Sequence, residues 1–107
     1  DWIINDEYCG KVLSVDKNKS SSVHYHKNKK ETFYILQGSI KLKWYPFKDF
    51  IKRKKLICDI ILHTGHIFTL YPMTVHQFEG LQNKNKILEI SNHHEDTDTF
   101  RVREKGR

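Results

Sequence analysis

His24 and His26 stand at i and i+2 in Ser22-Val-His24-Tyr-His26, and Glu31 follows five positions after the second histidine. On a β-strand that spacing projects both imidazoles from one face. Glu31 opens Glu31-Thr-Phe-Tyr-Ile-Leu36, a β-branched and aromatic run that reads as a strand. If the chain returns here as a hairpin, Glu31 comes back beside the two histidines. Two neutral imidazoles and one carboxylate suit a divalent transition metal. A histidine pair alone means little in a chain with seven histidines. What raises this one is its company: Gly38 after the strand, and a second block from Gly65 to His76 that offers a third imidazole.

The elements that must position these groups read as β throughout. Period-two alternation and short apolar runs bounded by polar turns recur along the chain. Expected strands are Trp2 to Ile4, Tyr8 to Val15, Ser21 to His26, Leu56 to Leu62, His66 to Tyr71, Val75 to Glu79 and Lys86 to Ser91, with a hairpin of Glu31 to Leu36 and Ser39 to Tyr45 around Gln37-Gly38. Residues 46–55 are basic and irregular, fitting a hairpin extension, a short helix or a lid over a mouth. From Asn92 the chain reads as a polar tail, with His93 and His94 at its surface. Some nine or ten short strands indicate an all-β sandwich or barrel. Parity then places Ser22 with the two histidines, Phe33 and Ile35 with Glu31, and Phe78 with His76, while Tyr25 faces outward.

One domain over residues 1–107 is expected from the length of 107 residues. With 30% charged residues and no apolar run of about 18, a membrane span is excluded. No signal-peptide core opens the sequence, so the expected location is cytoplasmic. Cys9 and Cys58 lack metal or redox spacing and read as small buried hydrophobes. The net charge of +6 raises nucleic acid as a partner. Lys27, Lys29 and Lys30 fall in one expected loop and Lys52 to Lys55 in another, without a recognition helix or stacking motif, so no nucleic-acid partner is expected. A basic rim suits an anionic small molecule better.

His24-x-His26-x4-Glu31-x6-Gly38 resembles the first signature of the cupins, and Gly65 with His76 eleven positions later resembles their second. Met73 stands where that second signature commonly has glycine, and Gly80 where it commonly has asparagine. The resemblance implies a double-stranded β-helix, the jelly-roll cupin barrel. It also implies His24, His26, Glu31 and His76 as ligands of one divalent metal ion, among Mn, Fe, Co, Ni and Zn. A narrower likeness runs from Trp2 through Lys11-Val-Leu, Leu88-Glu89-Ile90-Ser91 and Asp96-Thr-Asp98-Thr-Phe-Arg101 to Gly106-Arg107. It resembles the cupin domain of type II mannose-6-phosphate isomerases and implies an aldose–ketose isomerase acting on a sugar or sugar phosphate. Arg101 and Lys11 are then candidates for the anionic group; strand parity separately offers Phe33, Ile35 and Phe78 as an apolar floor under the metal cluster, with Phe33 and Phe78 expected against the substrate. A metal-dependent dioxygenase and a non-catalytic carbohydrate-binding cupin remain alternatives, because one fold supports many functions. Exposed N-terminal strands lead us to expect a homodimer paired through its edges.

Overall fold

The computed structural model describes residues 2–4, 7–53, 58–92 and 96–103. Among the described residues, ten strands and one short α-helix follow each other. They are β1 (Trp2–Ile4), β2 (Tyr8–Asp16), β3 (Val23–His26), β4 (Glu31–Gln37), β5 (Ser39–Pro46), α1 (Phe47–Arg53), β6 (Cys58–His63), β7 (Ile67–Leu70), β8 (Thr74–Gly80), β9 (Lys84–Asn92) and β10 (Thr99–Arg103), the last preceded by a 3₁₀ turn at Asp96–Asp98. Two five-stranded antiparallel sheets form, in the orders β1-β2-β9-β4-β7 and β10-β3-β8-β5-β6. This is the expected all-β jelly roll.

Alternation builds the core between the sheets. On β4 Phe33 and Ile35 are sealed while Tyr34 and Leu36 are exposed; on β5 Ile40 and Leu42 are sealed, and on β9 Ile87. With Leu62, Leu70 and Phe78 they form the main apolar cluster. A second cluster lies outside the second sheet, where Phe50 of α1 packs on Val23 and Val75 and is flanked by Tyr25, Tyr45 and Phe47. Of the three readings of residues 46–55, the short helix is the one found. Its residues 47–53 cover a sheet rather than lining the central cavity.

Two hairpins expected from sequence do not form. β4 pairs with β7 and β9, while β5 pairs with β6 and β8 in the opposite sheet. Gly38, at φ +81°, carries the chain from one sheet to the other, a backbone turn that L side chains rarely adopt. β3 and β4 likewise lie in different sheets, so Glu31 reaches the histidines across the barrel. The polar tail is also corrected: Thr99–Arg103 is strand β10, paired with β3 so that Thr99 faces His26 and Arg101 faces His24. His93, His94, Lys54, Lys55, Gly106 and Arg107 lie outside the described residues.

The sheet crossing is held by a buried amide. Asn85, 1% exposed, donates from Nδ2 to the Val15 and Gln82 carbonyls at 2.8 and 2.9 Å. Its Oδ1 accepts from Ser39 N at 2.9 Å and Gln82 N at 3.3 Å. Asn85→Leu keeps the volume but strands these backbone groups. It should cost about 2–4 kcal/mol, read as a lowered denaturation midpoint with an unchanged m-value; a midpoint equal to wild type would show that the amide does not hold the crossing.

Candidate metal centre

Three imidazoles converge at one end of the barrel. His24 and His26 project from β3 and His76 from β8, where His24 and His76 are direct cross-strand partners. One ring nitrogen from each lies within 4.8 Å of the others. Each ring is anchored through its other nitrogen. Nδ1 of His24 faces the Ser22 carbonyl at 3.0 Å, Nδ1 of His26 the Asp98 carbonyl at 3.1 Å, and Nδ1 of His76 the Thr74 carbonyl at 2.9 Å. A carbonyl only accepts, so Nδ1 carries the proton in all three and the Nε2 lone pair is left for the centre. His26 Nε2 and His76 Nε2 are buried and make no hydrogen bond. Buried polar atoms are rarely left so, and a cation at this point would satisfy both.

The carboxylate comes from the facing sheet. Glu31 Oε1 stands 3.4 Å from both His26 Nε2 and His76 Nε2. The other oxygen, Oε2, lies 3.5 Å from Lys29 Nζ, which is also 3.1 Å from Glu89 Oε2. Lys29, Glu31 and Glu89 are each under 5% exposed. Burial, reinforced for His24 by neighbouring His76, lowers its pKa from 6.5 to about 3. Burial, with Lys29 adding to it, takes His26 to about 4, and burial takes His76 to about 4. The rings are therefore neutral at physiological pH, the form that binds metal. Burial and then the Glu89 charge raise Glu31 from 4.5 to about 8, against the pull of Lys29. For Lys29 burial opposes the charge, but Glu89 and Glu31 outweigh it and hold the ammonium above its ordinary value. The donor set of three neutral imidazoles and one carboxylate fits a divalent transition ion.

Lys29, Glu89 and Asp98 are the residues that sequence reasoning missed. Lys29 sat in a run read as solvated lysines, yet it is 3% exposed and points inward. The cause is Asp98, about seventy positions away. Its carboxylate accepts from the backbone N–H of Lys27, Asn28 and Lys29 at 2.8 to 3.2 Å and folds that loop under the site. Met73 takes φ +63° where the cupin signature commonly has glycine, and its N–H donates to the His26 carbonyl at 2.7 Å.

Above the centre opens a cavity of about 1260 Å³ lined by strands β2, β3, β4, β8, β9 and β10 and by residues 18–22. Lys11, Arg101 and Phe78 lie on its wall with His24, His26 and Glu31. Phe33 does not line it: the ring is wholly enclosed in the core, 5.6 Å from Phe78 and 6.5 Å from His76 between centroids. Its expected place in the substrate floor is thus corrected to a support beneath the site. The wall is mixed: Ser20, Ser21, Ser22, Thr99 and Lys19 bring hydroxyls and charge, and Leu13, Val15 and Phe78 bring apolar surface.

No protein-family model matches the chain, and neither does any curated protein sequence. Solved structures do resemble it. KdgF from Halomonas sp. superposes with a TM-score of 0.73 at 14% identity, over 91% of each chain. Oxalate decarboxylase from Bacillus subtilis gives 0.75 at 13% identity, over 91% of this chain and 24% of that one. Hydroquinone 1,2-dioxygenase from Sphingomonas sp. TTNP3 gives 0.67 at 16% identity, over 85% and 62%. This chain thus spans about a quarter of the decarboxylase. At such identities the likeness establishes the fold alone, a two-sheet jelly roll. Among the described residues no helix is long and apolar enough to cross a membrane.

The buried charges imply a pH optimum for stability of the metal-free protein. Unfolded, the histidines take protons below about 6.5; folded, they resist down to about 3 or 4. Their contribution is therefore complete above 6.5 and is lost as pH falls. Glu31 works the other way. Its folded pKa of about 8 exceeds the ordinary 4.5, so its contribution is complete below 4.5 and is lost as pH rises to 8. Three imidazoles outweigh one carboxyl, so the melting temperature of chelator-stripped protein should climb from pH 4.5 to 6.5 and decline towards 8. A flat profile across that range, by calorimetry, would contradict the burial argument.

Proposed function

We propose that the chain is a metal-dependent aldose–ketose isomerase acting on a sugar or sugar phosphate, with His24, His26, His76 and Glu31 holding one divalent ion. The observation that carries this reading is the pairing of the imidazole cluster with a cavity of mixed wall, where serine hydroxyls stand beside the cations of Lys11 and Arg101. The hydroxyls offer hydrogen-bond partners to a polyhydroxylated ligand, and Leu13, Val15 and Phe78 offer its carbon skeleton an apolar surface. Arg101 and Lys11 share that wall and supply positive charge for a phosphate or carboxylate group. The likeness to KdgF, oxalate decarboxylase and the dioxygenase supports a small-molecule site in this barrel without choosing the reaction.

A divalent ion held by His24, His26, His76 and Glu31 would supply Lewis acidity to the substrate's oxygens. The protein's own part is to hold the ring tautomers through three backbone carbonyls, so that no proton competes for the Nε2 lone pairs. Isomerisation needs no external oxidant: a proton leaves one carbon and returns to its neighbour while the carbonyl and hydroxyl exchange places. Phe78 and the enclosed Phe33 keep the floor dry beneath this exchange.

Two measurements test the reading. Elemental analysis should find one divalent ion per chain in wild type, and His76→Ala and Glu31→Gln should each lower metal affinity at least tenfold with circular dichroism unchanged. NMR of a panel of aldose and ketose phosphates in deuterated water should then show solvent deuterium entering C1 or C2 of one member. Full metal occupancy with no exchange in any of them would overturn the isomerase reading in favour of an oxygen-dependent or purely binding role.

A further inference from the structure

Lys29 is a buried cation placed directly behind a metal-ligand carboxylate, an unfavourable position for holding a divalent ion. It repels the ion and competes for Glu31. Glu89 answers this. Its carboxylate lies closer to Lys29 Nζ than Glu31 does, 3.1 against 3.5 Å, and it is itself nearly sealed at 4% exposure. The three rings are neutral, so two carboxylates, one ammonium and a divalent ion leave the enclosed site at a charge of +1.

Building on the metal reading above, we infer that Glu89 is a positioning residue that draws off the Lys29 charge to leave Glu31 Oε1 for the metal, and that the loaded centre takes its ligand as a monoanionic oxygen chelate. An excess buried charge is costly unless paired, and a ligand carrying one negative charge across two adjacent oxygens removes it. A deprotonated diol, or a hydroxyl beside a carboxylate, has that chemistry. Lys11, the cross-strand partner of Glu89, and Arg101, that of His24, stand along the approach.

A double-mutant cycle tests this. Mn(II) affinity is read at one pH from the free-ion electron paramagnetic resonance signal. Glu89→Gln should weaken binding at least tenfold although residue 89 touches no metal. Lys29→Met/Glu89→Gln, which restores the net charge, should recover affinity to within about threefold of wild type. Glycolate, but not neutral ethylene glycol, should displace water from Mn(II)-loaded wild type, read by proton relaxation. An unaffected Glu89→Gln, a double variant no better than the single one, or equal binding of the two small ligands would overturn the inference. Wild type that binds no divalent ion would instead sink the metal reading beneath it.

A separate observation concerns the outer face of the first sheet. Its outward strand positions include Ile3, Val12, Tyr34, Leu36, Ile67 and Ile90, each between 37 and 64% exposed. Cross-strand register sets Gly10 between Ile3 and Ile90, and joins Val12 through Leu88 and Tyr34 to Ile67. Among the described outward positions of these strands, charge is confined to one end, at Asp16, Lys84 and Lys86. The opposite sheet is covered in part by α1 and presents Lys41, Lys43, Asp59 and Glu79. A contiguous exposed apolar face with charge only at one end is the mark of an interaction surface.

We propose that a second copy of this chain packs on it, sheet against sheet, instead of through the strand edges. An uncharged face in a chain of net charge +6 lets two copies approach without repulsion there. Sedimentation at micromolar concentration should give a dimer, and Tyr34→Lys or Ile90→Lys a folded monomer. Ile61→Lys, on the outside of the other sheet, should stay dimeric. A monomeric wild type, or dissociation only by the Ile61 variant, would overturn the assignment.

Discussion

The site depends on three hydrogen bonds that join an imidazole Nδ1–H to a main-chain carbonyl. Each fixes one ring's tautomer and its rotation at once. Two of the carbonyls, Ser22 and Thr74, lie two residues before the histidine they hold, so the β-strand supplies the anchor locally. The third belongs to Asp98 and arrives from the far end of the chain. The cluster is thus local in two of its rings and tertiary in the last. The His26 ring gains its anchor only when the turn before β10 has closed on β3.

Around those rings the protein arranges charge in a graded way. The imidazoles are uncharged because they are buried. Outside them lies one cation between two carboxylates, and beyond that a cavity whose wall is mixed and partly basic. Burying the Lys29 ammonium with Glu31 and Glu89 costs desolvation free energy that mutual attraction only partly recovers. A core built for stability alone would have placed apolar side chains there, as it does with Phe33 and Ile35 on the same strand as Glu31. Stability alone therefore does not account for the polar cluster.

The two sheets serve this arrangement unequally. The second carries all three histidines, and the first carries Glu31 and Glu89. These groups meet because the sheets face one another. The crossing at Gly38 and the amide of Asn85 that ties β9 to β2 and to the start of β5 are accordingly part of the site's foundation.

Much of this was legible in the residues. Alternation announced an all-β chain, the i, i+2 spacing put His24 and His26 on one face, and the strand beginning at Glu31 was read with its inward residues in the right parity. Such features depend on period two and on neighbours within a few positions, which a sequence carries directly. The partner of each strand was not legible. The run after Glu31 looked like half of a hairpin, and only the tertiary structure sends its two halves to opposite sheets. Lys29 looked like any loop lysine, and Asp98 like one acid in a polar tail. Their burial is decided by a contact spanning about seventy positions, and no local pattern records a partner so distant. Local periodicity determined which side chains can face inward together; long-range pairing decided which of them meet.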